Sequence, residues 1–203
     1  MKTDLISIYG DLKGQSAAML EAEHFTEYLG LTGKNAMHIR LLTEEAVSLV
    51  HGIIPNFKGD FWIESEKSEK GILCRICVSA NADVSDGQEE KLLAVSTSGK
   101  NEDAKGIMGK IRQILRWSIQ HTDDEQFVKQ SWFEMGCYAS HTTPSAVDRY
   151  WTLSNYRSNV AENTEMCREE RDELEKSIIA KLSDEVKVSI CGGKAEVIIE
   201  KCF

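Results

Sequence analysis

The sequence predicts an α+β protein, a two-layer sandwich with a mixed, mostly antiparallel sheet under one layer of helices. Three observations lead there. Strand-like segments are joined mainly by hairpin turns, at Lys70-Gly71 and at Cys191-Gly192-Gly193-Lys194. Helical segments are grouped, two of them standing between the first strand and the first hairpin. Beyond Asn81-Ala82-Asp83 the apolar spacing changes from period two to a helical repeat, so the middle of the chain reads as helical. At 203 residues the chain suits one domain, 1–203, with 118–163 as a helical insertion or enlarged lid.

Leu5 to Tyr9 reads as a short strand closed by Gly10-Asp11. Ser16 to Leu29 follows as a helix, with Ala18, Leu20, Ala22, Phe25 and Leu29 available for burial; Gly30 stops it and Gly33 marks the next turn. Lys34 to Ile53 is the central amphipathic helix. Met37, Leu41, Leu42, Val47, Leu49, Val50 and Ile53 approximate one face, and Glu44 and Glu45 stand side by side in its second half. Pro55-Asn56 and Gly59-Asp60 lead into strands at Phe61 to Glu64 and Ile72 to Ser79.

Gln88 to Val95 reads as a short helix running into a small-residue loop, Ser96 to Asn101. Another helix begins near Ala104-Lys105-Gly106 and carries Ile107, Met108, Ile111, Ile114, Leu115 and Trp117. Ser118 to Asn163 is rich in aromatics, which read first as core filling of an enlarged lid and second as a partner-binding surface. Thr143-Pro144 is its clearest helix start. Arg168 to Leu182 is a charged amphipathic helix, and strands at Val186 to Ile190 and Glu196 to Ile199 close the chain.

A formal net charge of -9 argues against binding nucleic-acid backbones, which needs clustered cations, and against docking on an anionic membrane. No run of apolar residues is long enough to span a bilayer, and the N-terminus lacks a signal-peptide core, so a cytoplasmic protein is expected. Cys74 and Cys77 form a C-x-x-C pair inside a strand-like segment. An offset of three along a strand sends the two thiols to opposite faces, which argues against a shared metal or redox site.

Two places carry chemistry. Glu45 or its neighbour Glu44 is a candidate general base, set against the plainer reading of a solvated carboxylate pair. Ser98-Gly99-Lys100-Asn101 with Gly106-Ile107-Met108-Gly109-Lys110 is a candidate anion site. Free backbone amides and the dipole at a helix N-terminus favour negative charge there, and Lys100 and Lys110 add to it. It is not a Walker loop, because Ala104 stands at the first glycine and Ile111 where a metal-binding hydroxyl belongs. His51 reads as a boundary histidine, and His121 and His141 lack metal-ligand spacing.

Taken together, these segments resemble the Bergerat-fold (GHKL) ATPases, the group that includes gyrase and the histidine kinases, and within it most nearly the small anti-sigma-factor serine kinases. The resemblance rests on Leu42 to Gly52 (similar to an E-A-x-x-N helix followed by H-G), on Glu89 to Gly109, and on Leu182 to Val188 with Gly192-Gly193. It implies a histidine-kinase-like ATPase fold, an ATP site, and Glu45 or Glu44 as base. Ser98, Gly99, Lys100, Gly106, Gly109 and Lys110 would meet phosphate, and Asn81 or Asp83 the adenine amine. If catalysis survives, it is ATP hydrolysis or serine-kinase-type phosphoryl transfer.

The chain departs from the family where magnesium is held. The helix asparagine falls on Leu49, or on Ser48 in the other register, and neither replaces an amide oxygen for a hard cation. The D-x-G-x-G turn is likewise unmatched at Ala80 to Gly87. The expectation is therefore an ATP-binding regulatory domain with weak or no catalysis, working on a regulatory protein partner, with a homodimer left open. The alternative is a degenerate descendant that binds no nucleotide and acts as a protein-interaction module.

Overall fold

The computed structural model describes residues 1–50, 58–69, 71–81, 107–109, 111–112, 149–162, 168–191 and 194–203. Alternation of side chains along the strands decides the architecture. β1 (Ile6–Tyr9), β2 (Lys58–Ser68), β3 (Gly71–Asn81), β4 (Arg149–Thr152), β5 (Glu185–Cys191) and β6 (Lys194–Cys202) form one six-stranded sheet in the order β1-β2-β3-β6-β5-β4. Every described pairing is antiparallel, so the parallel element of the expected mixed sheet is not found among them.

The register puts Ile6, Phe61, Val78, Val197, Val188 and Trp151 in one row across all six strands. The next row holds Ile63, Ile76, Ile199 and Val186. These rows face the helices. α1 (Gln15–Tyr28) and α2 (Lys34–Val50) lie on them, joined by α3 (Leu153–Glu162) and α5 (Ile178–Leu182), and together they make one contiguous core. α4 (Arg168–Lys176) precedes α5. Sheet under helices is thus the two-layer α+β arrangement that the grouped pattern predicts.

Local chemistry fixes the joints. α1 ends in a Schellman motif: Gly30, at φ 66, donates to the Glu27 carbonyl at 3.0 Å and Leu31 to the Thr26 carbonyl at 2.9 Å. Gly14, at the start of α1, has φ 86, and a Cβ there would lie 2.2 Å from the Ser7 carbonyl oxygen. The Tyr9 amide donates to the Lys13 carbonyl at 3.0 Å, so this loop folds back over the outer edge of β1.

The structure departs from expectation in three places. The helix expected over Arg168 to Leu182 is two helices. Ser177 takes extended geometry and its hydroxyl accepts the Ala180 amide at 3.3 Å, capping a new helix that turns Ile179 and Ala180 inward. Residues 149–162, inside the stretch read as helical, begin with a strand on the sheet edge. Trp151, Leu153, Tyr156 and Val160 are core residues there. β2 and β3 are also longer than expected, because their ladder runs on from Glu64↔Arg75 to Ser68↔Gly71 through polar residues. The expected helix at Gln88 to Val95, the Thr143-Pro144 start, His51, His121 and His141 lie outside the described residues. No described helix is long and apolar enough to cross a membrane.

Substitutions on the two sides of the sheet should separate cleanly. Ile76→Ala, in the helix-facing row, is expected to lower the unfolding free energy by about 2–5 kcal/mol. Glu196→Ala, on the other face, should stay within about 0.5 kcal/mol. Urea unfolding of both variants measures the difference.

Candidate functional site

α2 positions the paired glutamates. Its buried residues are Ile39, Leu42, Thr43, Ala46, Val47, Leu49 and Val50, an i, i+3, i+4, i+7 stripe that presses on the sheet. Met37 is exposed and Leu41 only half-buried, so neither belongs to the stripe expected to hold them. With Ala46 and Val47 turned inward, Glu44 points to solvent and Glu45 sits on the flank, half-buried. Ser48, one turn on, shares that flank.

The described helical residues at 107–109 and 111–112 pack against this flank, with Ile107 and Ile111 fully buried. Arg112 donates from Nη2 to the Ser48 carbonyl at 3.1 Å, while its Nε is buried without a hydrogen-bond partner. Burial pushes the Glu45 carboxyl above the usual carboxylate range. Glu44 pushes the same way, and Arg112 opposes both. A carboxyl poised upward beside a fixed guanidinium is suited to taking a proton from a bound hydroxyl or water.

Of the other expected site residues, Gly109 is buried in a helical turn between Ile107 and Ile111. Asn81 is the last residue of β3, paired in register with Lys58 and Lys194. Asp83, Ser98, Gly99, Lys100, Gly106 and Lys110 lie outside the described residues. The structure therefore brings Glu45 and Arg112 together. Sequence reasoning missed Arg112, which stands two residues after Lys110 beside the apolar Ile107, Met108 and Ile111 and carries no signal of its own. It also missed Thr43, whose hydroxyl on the core side of α2 is buried and unpaired.

The positions where the resemblance places a metal ligand do not suit one. Leu49 is 0% exposed, in the core. The Ser48 hydroxyl donates to the Glu45 carbonyl at 3.0 Å, and the Ser48 carbonyl is taken by Arg112. Magnesium does not fit this stretch of helix. Cys74 and Cys77 do lie on opposite faces of β3, Cys74 in the row of Ser65 and Cys77 in that of Trp62. Burial pushes their thiols up to about 11 and about 12, so both stay protonated and unreactive at neutral pH. Compared with family models, curated proteins and solved structures, the chain matches none.

The raised Glu45 carboxyl has a thermodynamic consequence. Its folded pKa lies above the unfolded value, so its contribution favours the fold fully below the unfolded pKa and is lost as pH rises through the folded one. Glu45→Gln should therefore stabilise the protein at neutral pH and lose that advantage in acid. Arg112→Ala removes the opposing charge and should raise the Glu45 pKa further, while costing about 1–2 kcal/mol for its charge-assisted hydrogen bond. Unfolding followed from pH 3 to 8, with carboxyl titration by NMR, measures both.

Proposed function

We propose that the chain is a nucleotide-binding regulatory domain, similar in layout to the anti-sigma-factor kinases, with little or no phosphoryl transfer. The observation that carries this reading is the placement of Glu45. It sits half-buried on the second of two helices that follow β1, facing later helical residues that are preceded in the sequence by Gly99, Lys100, Lys105 and Gly106. Phosphate would meet Lys100, Gly106 and Lys110, and Glu45 would stand beside it as a weak base. The lysines supply the counter-charge that a metal would otherwise bring.

Leu49 and Ser48 favour the loss of catalysis, because both are spent inside the protein. The same two residues favour a second reading, a degenerate descendant that binds no nucleotide and acts through protein contacts alone.

Calorimetric titration with ATP, with and without magnesium, tests the first reading. Saturable binding is expected, unchanged by magnesium and weakened about tenfold by Lys100→Ala. Absence of both heat and thermal shift at millimolar ATP would discard it in favour of the second.

A further inference from the structure

The helical layer has an outside as well as an inside. α1 buries Ala18, Ala22 and Phe25 in the core, yet on its outer side, among glutamates and His24, Leu20 is 52% and Tyr28 74% exposed. α1 and α2 pack against each other across the short turn at residues 29–33, as an antiparallel pair bridged by Arg40 and Glu23 at 3.3 Å. Near the start of α2, Met37 is 53% exposed. Large apolar side chains left open to solvent on one helix pair and rimmed by charge mark a docking surface.

The rim is acidic. α1 holds Glu21, Glu23 and Glu27 and no lysine or arginine. Across both helices five glutamates stand against two cations, Lys34 and Arg40. Arg40 is already committed to Glu23, whereas Glu21, Glu27 and Glu44 have no ion pair among the described residues.

We propose that this face docks a basic amphipathic helix of a partner protein. The partner's apolar side would rest on Leu20, Tyr28 and Met37, and its cations would meet Glu21, Glu27 and Glu44. A second copy of the chain is a poorer occupant, because it would bring two acidic rims together. The proposal is separable from nucleotide binding through Leu20, Glu27 and Tyr28, which lie on α1 and not on the Glu45 flank facing Arg112.

The test uses the full chain and a synthetic leucine-lysine peptide of about eighteen residues, five helical turns, with its apolar residues on one face. A second peptide has the same composition in an order that spreads leucine around the helix. Saturable binding of the first is expected, with NMR shifts confined to the outer sides of α1 and α2. Tyr28→Ser with Leu20→Ser should weaken it about tenfold or more, and Glu27→Gln severalfold, at unchanged Tm because these side chains are exposed. Equal binding of both peptides would reduce the effect to net charge and overturn the proposal. So would shifts elsewhere on the chain, or self-association of the free chain that Tyr28→Ser abolishes, which would assign the face to a second copy.

Discussion

The described chain depends on one burial: the stripe of α2 against the helix-facing rows of β3 and β6. Side chains alternate along a strand, so a slip of one residue would turn Phe61, Ile63, Ile76 and Val78 to the wrong side together. The eleven-residue β2 and β3 ladder makes that slip costly, and β6 repeats the same register on the other side of β3. α2 is thereby held along a defined line. Glu44 outward and Glu45 on the flank follow from the helical repeat once Ala46 and Val47 are committed inward.

At that flank two opposing effects meet, and their sizes decide the sign. Partial burial removes water from the Glu45 carboxylate, and Glu44 next to it adds repulsion. Arg112 attracts it, yet the guanidinium is held by the Ser48 carbonyl and not by the carboxylate. A guanidinium paired directly with the carboxylate would have opposed the shift more strongly. The result is a carboxyl with raised proton affinity beside a cation that keeps an unpaired buried N–H. It is the half-buried carboxyl with its raised proton affinity that makes the flank, and not the exposed Glu44, the candidate site.

Much of this frame was legible in the sequence because it is written in period. Leu5 to Tyr9, the αα pair split at Gly30, and the final hairpin all appear as alternation, helical repeat and turn residues, and the elements formed there. Other parts turned on contacts that period does not encode. Ser177 looks like an ordinary helix residue until its hydroxyl caps the next turn. Arg149 to Thr152 is four residues long, too short for alternation to show, and is a strand because β5 offers it an edge. Glu66 to Ser68 is polar throughout and is extended because β3 pairs with it. Arg112 was invisible as a site residue because nothing in its neighbours' spacing says that it reaches Ser48.

The two outer faces of the sandwich are finished differently, and the contrast bears on where a partner would bind. On the sheet side Lys2, Arg75 and Lys187 are matched. Lys2 lies 4.7 Å over the Trp62 ring and 3.0 Å from Glu64, and Arg75 bridges Glu66 and Glu200, which also takes Lys187. Pairs of this kind add little stability each, but they leave these three cations with a counterpart already in place. On the helix side, Leu20 and Met37 were both expected to be buried, and both are open to solvent beside glutamates without cations. Periodicity that assigns residues to a core they do not reach is describing a second surface, and complementarity of sign then says what would cover it.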